Sequence, residues 1–192
     1  MSLEPTDLNK IIRQAQSGDN EAITALYQGY APMIYRYIAY RAPAEEVEDL
    51  TGEVFIKMVE GLPNYRITEV PFEAWLYRIA AARVADFYRR TKRHEVVELD
   101  EDTPETELLP EENLLEQLEV ESLREALQRL SAEQQTILIL RFVEHKSHED
   151  VAALLDRSVS AVKTIQHRAL TQLAKEMGTK KEMRHYLRGS HD

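Results

Sequence analysis

The sequence has no cysteine, one tryptophan and only six glycines among 192 residues. Without a thiol, disulfides, thiol nucleophiles, thiol redox sensing and cysteine-bound zinc are excluded. No stretch approaches the roughly 18 consecutive apolar residues of a membrane span. The opening MSLEPTDLNK carries acids where a signal peptide needs an apolar core. These absences predict a cytoplasmic protein. At the other end RGSHD resembles the scar of an expression tag, and we give it no functional weight.

Positive charge is missing from one place. Residues 95 to 121 contain twelve Asp or Glu and no Lys or Arg, so this window exceeds the whole chain's net charge of -10 and leaves +2 for the rest. Two near-neutral or basic parts are therefore joined by an acidic strap. The strap carries Pro104 and Pro110, few aromatics and no sustained period, which predicts a flexible linker.

What is present is helical periodicity. Leu8, Ile11, Ile12 and Ala15 share one face, and Gly18 closes that pattern. Asp19 can cap a second helix whose apolar residues run from Ala22 to Ile38. After Pro43 a third helix is predicted over 44–60, with Val47, Leu50, Val54 and Met58 inward and Phe55 and Val59 beside them. Gly61, Pro63 and Asn64 open a loop to Pro71, and a fourth helix runs from Phe72 to about Thr91. Beyond the strap, Ser131 and Gln134 form a capping-box pattern before an apolar helix at 136–143. No strand pattern emerges. The prediction is an all-α protein of two small helical domains joined by the acidic linker: 1–94, linker 95–112, 113–178, and a tail at 179–192.

Two short helical patterns, SHEDVAALLD and SVSAVKTIQHRAL, meet at a tight corner, with Ser147 and Ser158 as caps and Ala152 and Ala153 near the crossing. That is a helix-turn-helix pattern, with Asp156 in place of the frequent corner glycine. Val162, Ile165, Ala169 and Leu173 define the inner face of the second helix. Ser160, Ala161, Lys163, Thr164, Gln166, His167 and Arg168 are left outward, a set suited to phosphates and base edges of a major groove. The fourth helix carries its own signal. Between Tyr77 and His94 six Lys or Arg face one Asp, interleaved with Tyr77, Phe87 and Tyr88, which suits single-strand backbone and bases. Trp75 falls on the apolar face and is expected in the core.

The segments GDNEAITALYQGYAPMIYRYIAY, EEVEDLTGEVFIKMV and FEAWLYRIAAARVADFYRR resemble the core domain of bacterial RNA polymerase sigma factors. LREALQRLSAEQQTILILRFVEHKSHEDVAALLDRSVSAVKTIQHRAL resembles their promoter-reading domain. The chain is similar to the minimal extracytoplasmic-function class. The resemblance implies a helix that docks on core RNA polymerase, whose largest and second-largest subunits are the expected partners, with Asp49, Glu53, Phe55 and Lys57 at the contact. It implies that the loop after Gly61 and the fourth helix open the minus-ten element and hold a flipped base, through Asn64, Tyr65, Arg78, Arg83, Arg89 and Arg90. It further implies that the second helix of the helix-turn-helix reads the minus-35 element, and that an anti-sigma factor restrains the protein or its domains close on one another. Ala81 and Ala82 depart from an Arg and Asn common in relatives, as do Ile165 and Gln166 from a cationic and an apolar residue. The strap would lie in polymerase channels that later hold RNA, or serve only as a solubilising linker.

Two other classes compete. A polymerase-independent regulator could bind a duplex operator through the same helix-turn-helix. An enzyme could build a metal site on His145, His148 and His185, although no carboxylate-histidine set with ligand spacing accompanies them. No cofactor and no catalytic residue are expected.

Overall fold

The computed structural model describes residues 5–95 and 122–177. The linker expected beyond residue 95, the leucines 114, 115 and 118, the tail expected at 179–192 and His185 lie outside the described residues.

Helix α1 (Pro5–Gln16) ends at Gly18, whose φ of +87° suits glycine alone. Asp19 caps α2 (Asn20–Ala39), its Oδ1 accepting from the amides of Glu21 and Ala22 at 2.9 and 3.2 Å. Helix α3 (Val47–Gly61) follows a 3-10 turn at Ala44–Glu46, so the predicted third helix begins with a tighter first turn. A second 3-10 turn, Leu62–Asn64, starts the loop that leads to α4 (Phe72–Glu95), which runs past Thr91.

The six-membered ring of Trp75 lies on Gly61, where an added Cβ would sit 2.8 Å from Cζ2. Trp75 is half-buried, its ring enclosed by Gly61, Tyr65 and Phe72. Gly61→Ala is expected to cost about 1–3 kcal/mol by forcing that ring aside. Thermal denaturation checks this; an unchanged midpoint would mean the loop yields freely.

In the second half, α5 covers residues 122–128, α6 is Ala132–Leu138, α7 His148–Leu155 and α8 Val159–Glu176. Ser131 with Gln134 and Ser147 with Asp150 form the two expected capping boxes, and Ser158 caps α8. Asp156 takes the left-handed conformation at the corner, φ 53° and ψ 55°. The helix expected at 136–143 divides. Ile139–Val143 forms a π-turn, in which the Glu144 amide reaches back to the Ile139 carbonyl at 3.0 Å. His145 then turns the chain with φ 50°.

The two halves share one core. Leu26, Ile34, Tyr37, Leu76 and Tyr77 belong to the same buried cluster as Ile137, Leu140, Val151, Leu154 and Val162. Polar groups tie the seam: the Tyr37 hydroxyl and Thr136 Oγ1 lie 2.8 Å apart, Arg36 makes a two-point pair with Glu144 at 2.8 Å for each bond, and Lys146 pairs with Glu73 at 3.0 Å. The domain-on-domain closure implied by the resemblance is the arrangement seen. A second cluster, including Leu127, Leu130, Leu138, Leu170 and Leu173, holds α5, α6 and α8 together.

Candidate polymerase and nucleic-acid interfaces

Three consecutive apolar residues, Val54, Phe55 and Ile56, cannot all face inward on one helix. Val54 and Phe55 do, Phe55 being 6% exposed with its ring edge-on to Tyr27 at 4.8 Å. Ile56 is left 59% exposed and Val59 40%. This corrects two expectations: Phe55 is a support beneath Tyr27 rather than a contact residue, and Val59 is not at the core. Asp49 is exposed, Glu53 half-exposed within 3.5 Å of Arg90, and Lys57 pairs with Glu60 at 2.7 Å. Asp49, Glu53 and Ile56 follow one another at four- and three-residue steps, so they form one stripe. Ile56 was missed because periodicity alone did not say which of three neighbours would lose its place in the core.

Beside the start of α4 lies a cleft of about 670 Å³, lined in part by Tyr30, Tyr65, Ile67, Thr68, Phe72 and Glu73. Its loop is held from below by Gln16, whose side-chain amide donates to the carbonyls of Leu62 (3.0 Å) and Tyr65 (2.7 Å). Nothing in the sequence marked Gln16 for this task. The half-buried Tyr65 ring lies 4.6 Å from Trp75 and edge-on to Phe72 at 5.2 Å. Burial, then Glu73 and Tyr65, push the Tyr30 phenol up to about 12, so it remains a neutral donor at physiological pH. Asn64 is exposed at the rim of the loop.

Of the α4 cations, Arg78 is exposed, Arg83 and Arg89 both pair with Asp86 one turn away on either side, and Arg90 reaches Glu53. Tyr77, expected among the stacking aromatics, is 2% exposed; it packs on Tyr37 at 5.0 Å and its hydroxyl has no hydrogen-bond partner among the described residues. Tyr77 lies in the buried cluster to which both halves contribute, and Glu144 and Lys146 of the second half line the cleft. Tyr88 is held too, donating to the Arg41 carbonyl at 2.8 Å and accepting from Gln128 at 2.6 Å.

On α8, Ser160, Lys163, Thr164, His167 and Arg168 are exposed and Ala161 is half-buried beside the Ser158 cap. Gln166 is the exception. It is 8% exposed, with Oε1 3.1 Å from Nε2 of His148 on α7. The predicted outward Gln166 is therefore corrected: the crossing of α7 over α8 covers that edge of the helix. Lys163 makes no ion pair among the described residues, so its charge is free for a phosphate. Lys163→Ala is expected to weaken duplex binding and lower the salt slope by about one unit. An unchanged slope in a salt titration would remove Lys163 from the backbone contacts.

Residues 26–94 match the family model for sigma-70 region 2, and residues 120–173 match the model for sigma-70 region 4. The chain is 34% identical over 185 residues to the ECF RNA polymerase sigma factor SigD of Mycobacterium tuberculosis, covering 92% of this chain and 87% of that one. It belongs to the extracytoplasmic-function sigma factors. A further relative, BldN of Streptomyces coelicolor, is 34% identical over 169 residues, 86% of this chain and 64% of that protein. YlaC of Bacillus subtilis is 32% identical over 166 residues, 84% and 95% of the two chains. The fold of this sigma factor resembles that of CnrH, solved in complex with the cytosolic domain of CnrY, with a TM-score of 0.61 at 22% identity over 89% of this chain and 97% of that one.

As a sigma factor, the protein directs RNA polymerase to promoter DNA and catalyses no reaction itself. The match of α2–α4 to region 2 displaces the polymerase-independent regulator, which needs no such unit. Among the described residues no group of three His, Asp or Glu could hold a metal ion, and no helix is long and apolar enough to cross a membrane.

Proposed function

We propose that the three interfaces divide initiation between them. The α3 stripe of Asp49, Glu53, Ile56 and Val59, with Lys57 and Glu60 at its rim, docks core RNA polymerase. Loop 62–71 and α4 take the minus-ten element, the cleft beside Tyr65 receiving an unstacked base while Asn64, Arg78, Arg83, Arg89 and Arg90 hold the strand. The exposed face of α8, from Ser160 through Lys163, Thr164 and His167 to Arg168, enters the minus-35 major groove. The corresponding division places these tasks in 1–94 and 113–178, with the cytoplasm as their compartment.

The observation that carries this reading is the pair of exposed apolar side chains, Ile56 and Val59, set beside acids on α3. A solvated helix face has no use for them, whereas the centre of a protein interface does. The cleft supports the second assignment, because its volume lies within the range of about 300–1,000 Å³ typical of small-ligand sites and its walls include the rings of Tyr30, Tyr65 and Phe72. An anti-sigma factor completes the proposal. An apolar groove on the second half, lined by residues including Leu123, Phe142, Val143 and Leu173 and edged by Tyr40 of the first, suits the apolar face of a partner helix.

Reconstitution with core polymerase and run-off transcription on a fragmented genomic library tests this reading. Specific transcripts that depend on the protein, and their loss in Asp49→Ala through failed association, are expected. Full association of that variant would remove the α3 assignment.

A further inference from the structure

His148 sits where the sequence placed nothing but a weak metal candidate. It is the first residue of α7, partly exposed, and its Nε2 is hydrogen-bonded at 3.1 Å to the Gln166 side chain, which α7 covers. The imidazole thus stands in front of Gln166, at the edge of the α8 face that carries Lys163. We propose that His148, oriented by Gln166, is a DNA-backbone contact of the helix-turn-helix: a phosphate-binding group that gains a charge when it takes up a proton. This deepens the minus-35 assignment of α8 and rests on it.

Three observations support the assignment. First, Gln166 is only 8% exposed, and the partly exposed ring bonded to it is the polar group presented at that edge of the helix. Second, the groups facing the imidazole are cationic from each neighbouring element: Arg141 from the π-turn and Lys163 from α8, against Glu149 on α7 itself. Arg141 is held by donation from Nη1 to the Lys146 carbonyl, and its Nε has no partner among the described residues. A cluster of that sign on a DNA-reading module suits an anion. Third, burial, then Arg141 and Lys163, hold the imidazole below its ordinary 6.5, with the Gln166 bond and Glu149 opposing. A phosphate placed there reverses the balance, since an anion favours the imidazolium.

The sign follows from linkage. In the free protein the depressed value means the folded state binds the proton less readily than the unfolded chain. His148 therefore contributes stability above pH 6.5 that is lost as pH falls through its folded value. In the DNA complex the order is opposite, and binding takes up a proton. Acidification should thus weaken the free fold at this site while strengthening its grip on DNA, a pair of trends that a purely structural tie between α7 and α8 would not produce.

The test uses the full chain and a 20-base-pair duplex of arbitrary sequence, because a phosphate contact requires no particular base. Affinity is measured from pH 8 to 6 at several salt concentrations. The wild type is expected to bind about three- to tenfold more tightly at pH 6 than His148→Ala, with a salt slope steeper by about one unit. The two should converge at pH 8, where the ring is neutral. His148→Gln, which keeps a hydrogen-bonding side chain before Gln166, should behave like His148→Ala in its pH profile while retaining more stability. Identical pH profiles for the wild type and both variants would overturn the proposal. Lys163→Ala is the companion measurement. If it weakens binding while the His148 variants do not, only the His148 assignment falls; if neither does, the α8 reading falls with it.

Discussion

Ile56→Asp is expected to lower affinity for core RNA polymerase about a hundredfold while barely changing the melting temperature. The stability half follows from exposure: with 59% of the residue in water, little contact is lost, and surface changes of this kind stay within about 0.5 kcal/mol. The binding half follows from position. Ile56 lies on the stripe of Asp49 and Glu53, flanked by Val59, where docking would desolvate it. An aspartate there must be buried without a partner and beside two other acids, a penalty of about 3 kcal/mol, which is about a hundredfold. Ile56→Ala, which loses only apolar area, should cost nearer tenfold. Fluorescence anisotropy with labelled protein and core enzyme measures both. Wild-type affinity in Ile56→Asp would show that the stripe faces solvent in the holoenzyme.

Glu144→Arg is expected to open the two halves. Its carboxylate, with a side chain only 9% exposed, makes both bonds to Arg36, and the adjacent Lys146 already pairs with Glu73. Reversal replaces attraction by repulsion from Arg36 and Lys146 at a seam where the Tyr77 hydroxyl is already buried without a partner among the described residues. Because Arg36 is half-exposed, screening reduces the effect below that of a fully buried pair, to about 2 kcal/mol, or a roughly thirtyfold shift toward the open form. Small-angle scattering should register the larger radius. Opening would uncover Tyr77 and empty the cleft of Glu144 and Lys146, so a single-stranded oligodeoxynucleotide should bind about tenfold more tightly. Arg36→Glu should open the seam in the same way although it removes positive charge, and the double exchange should close it again. If neither single reversal expands the protein, the ion pair does not hold the halves together.

The helix ends were legible because their causes lie within a few residues. A cap needs a hydroxyl or carboxylate and an amide three positions on, and Asp19, Ser131, Ser147 and Ser158 each met that condition. Asp156 took the left-handed corner for an equally local reason. The helix-turn-helix was readable from spacing, the acid-to-base division of the chain from its charge count, and the family from the resemblance of whole segments.

The assignment of individual side chains to faces was not. Periodicity locates the centre of an apolar stripe, but residues at its border are decided by the element that crosses there. Phe55 found Tyr27, Gln166 was covered by α7, and Tyr77 packed on Tyr37 within the core that both halves share. The meeting of Tyr37 with Thr136, 99 residues apart, and of Arg36 with Glu144, 108 apart, left no local trace at all. The sequence by itself determined the helices, their caps and the family. Only the tertiary structure decided which border residues face a partner, because that choice depends on pairwise packing between segments that share no local code.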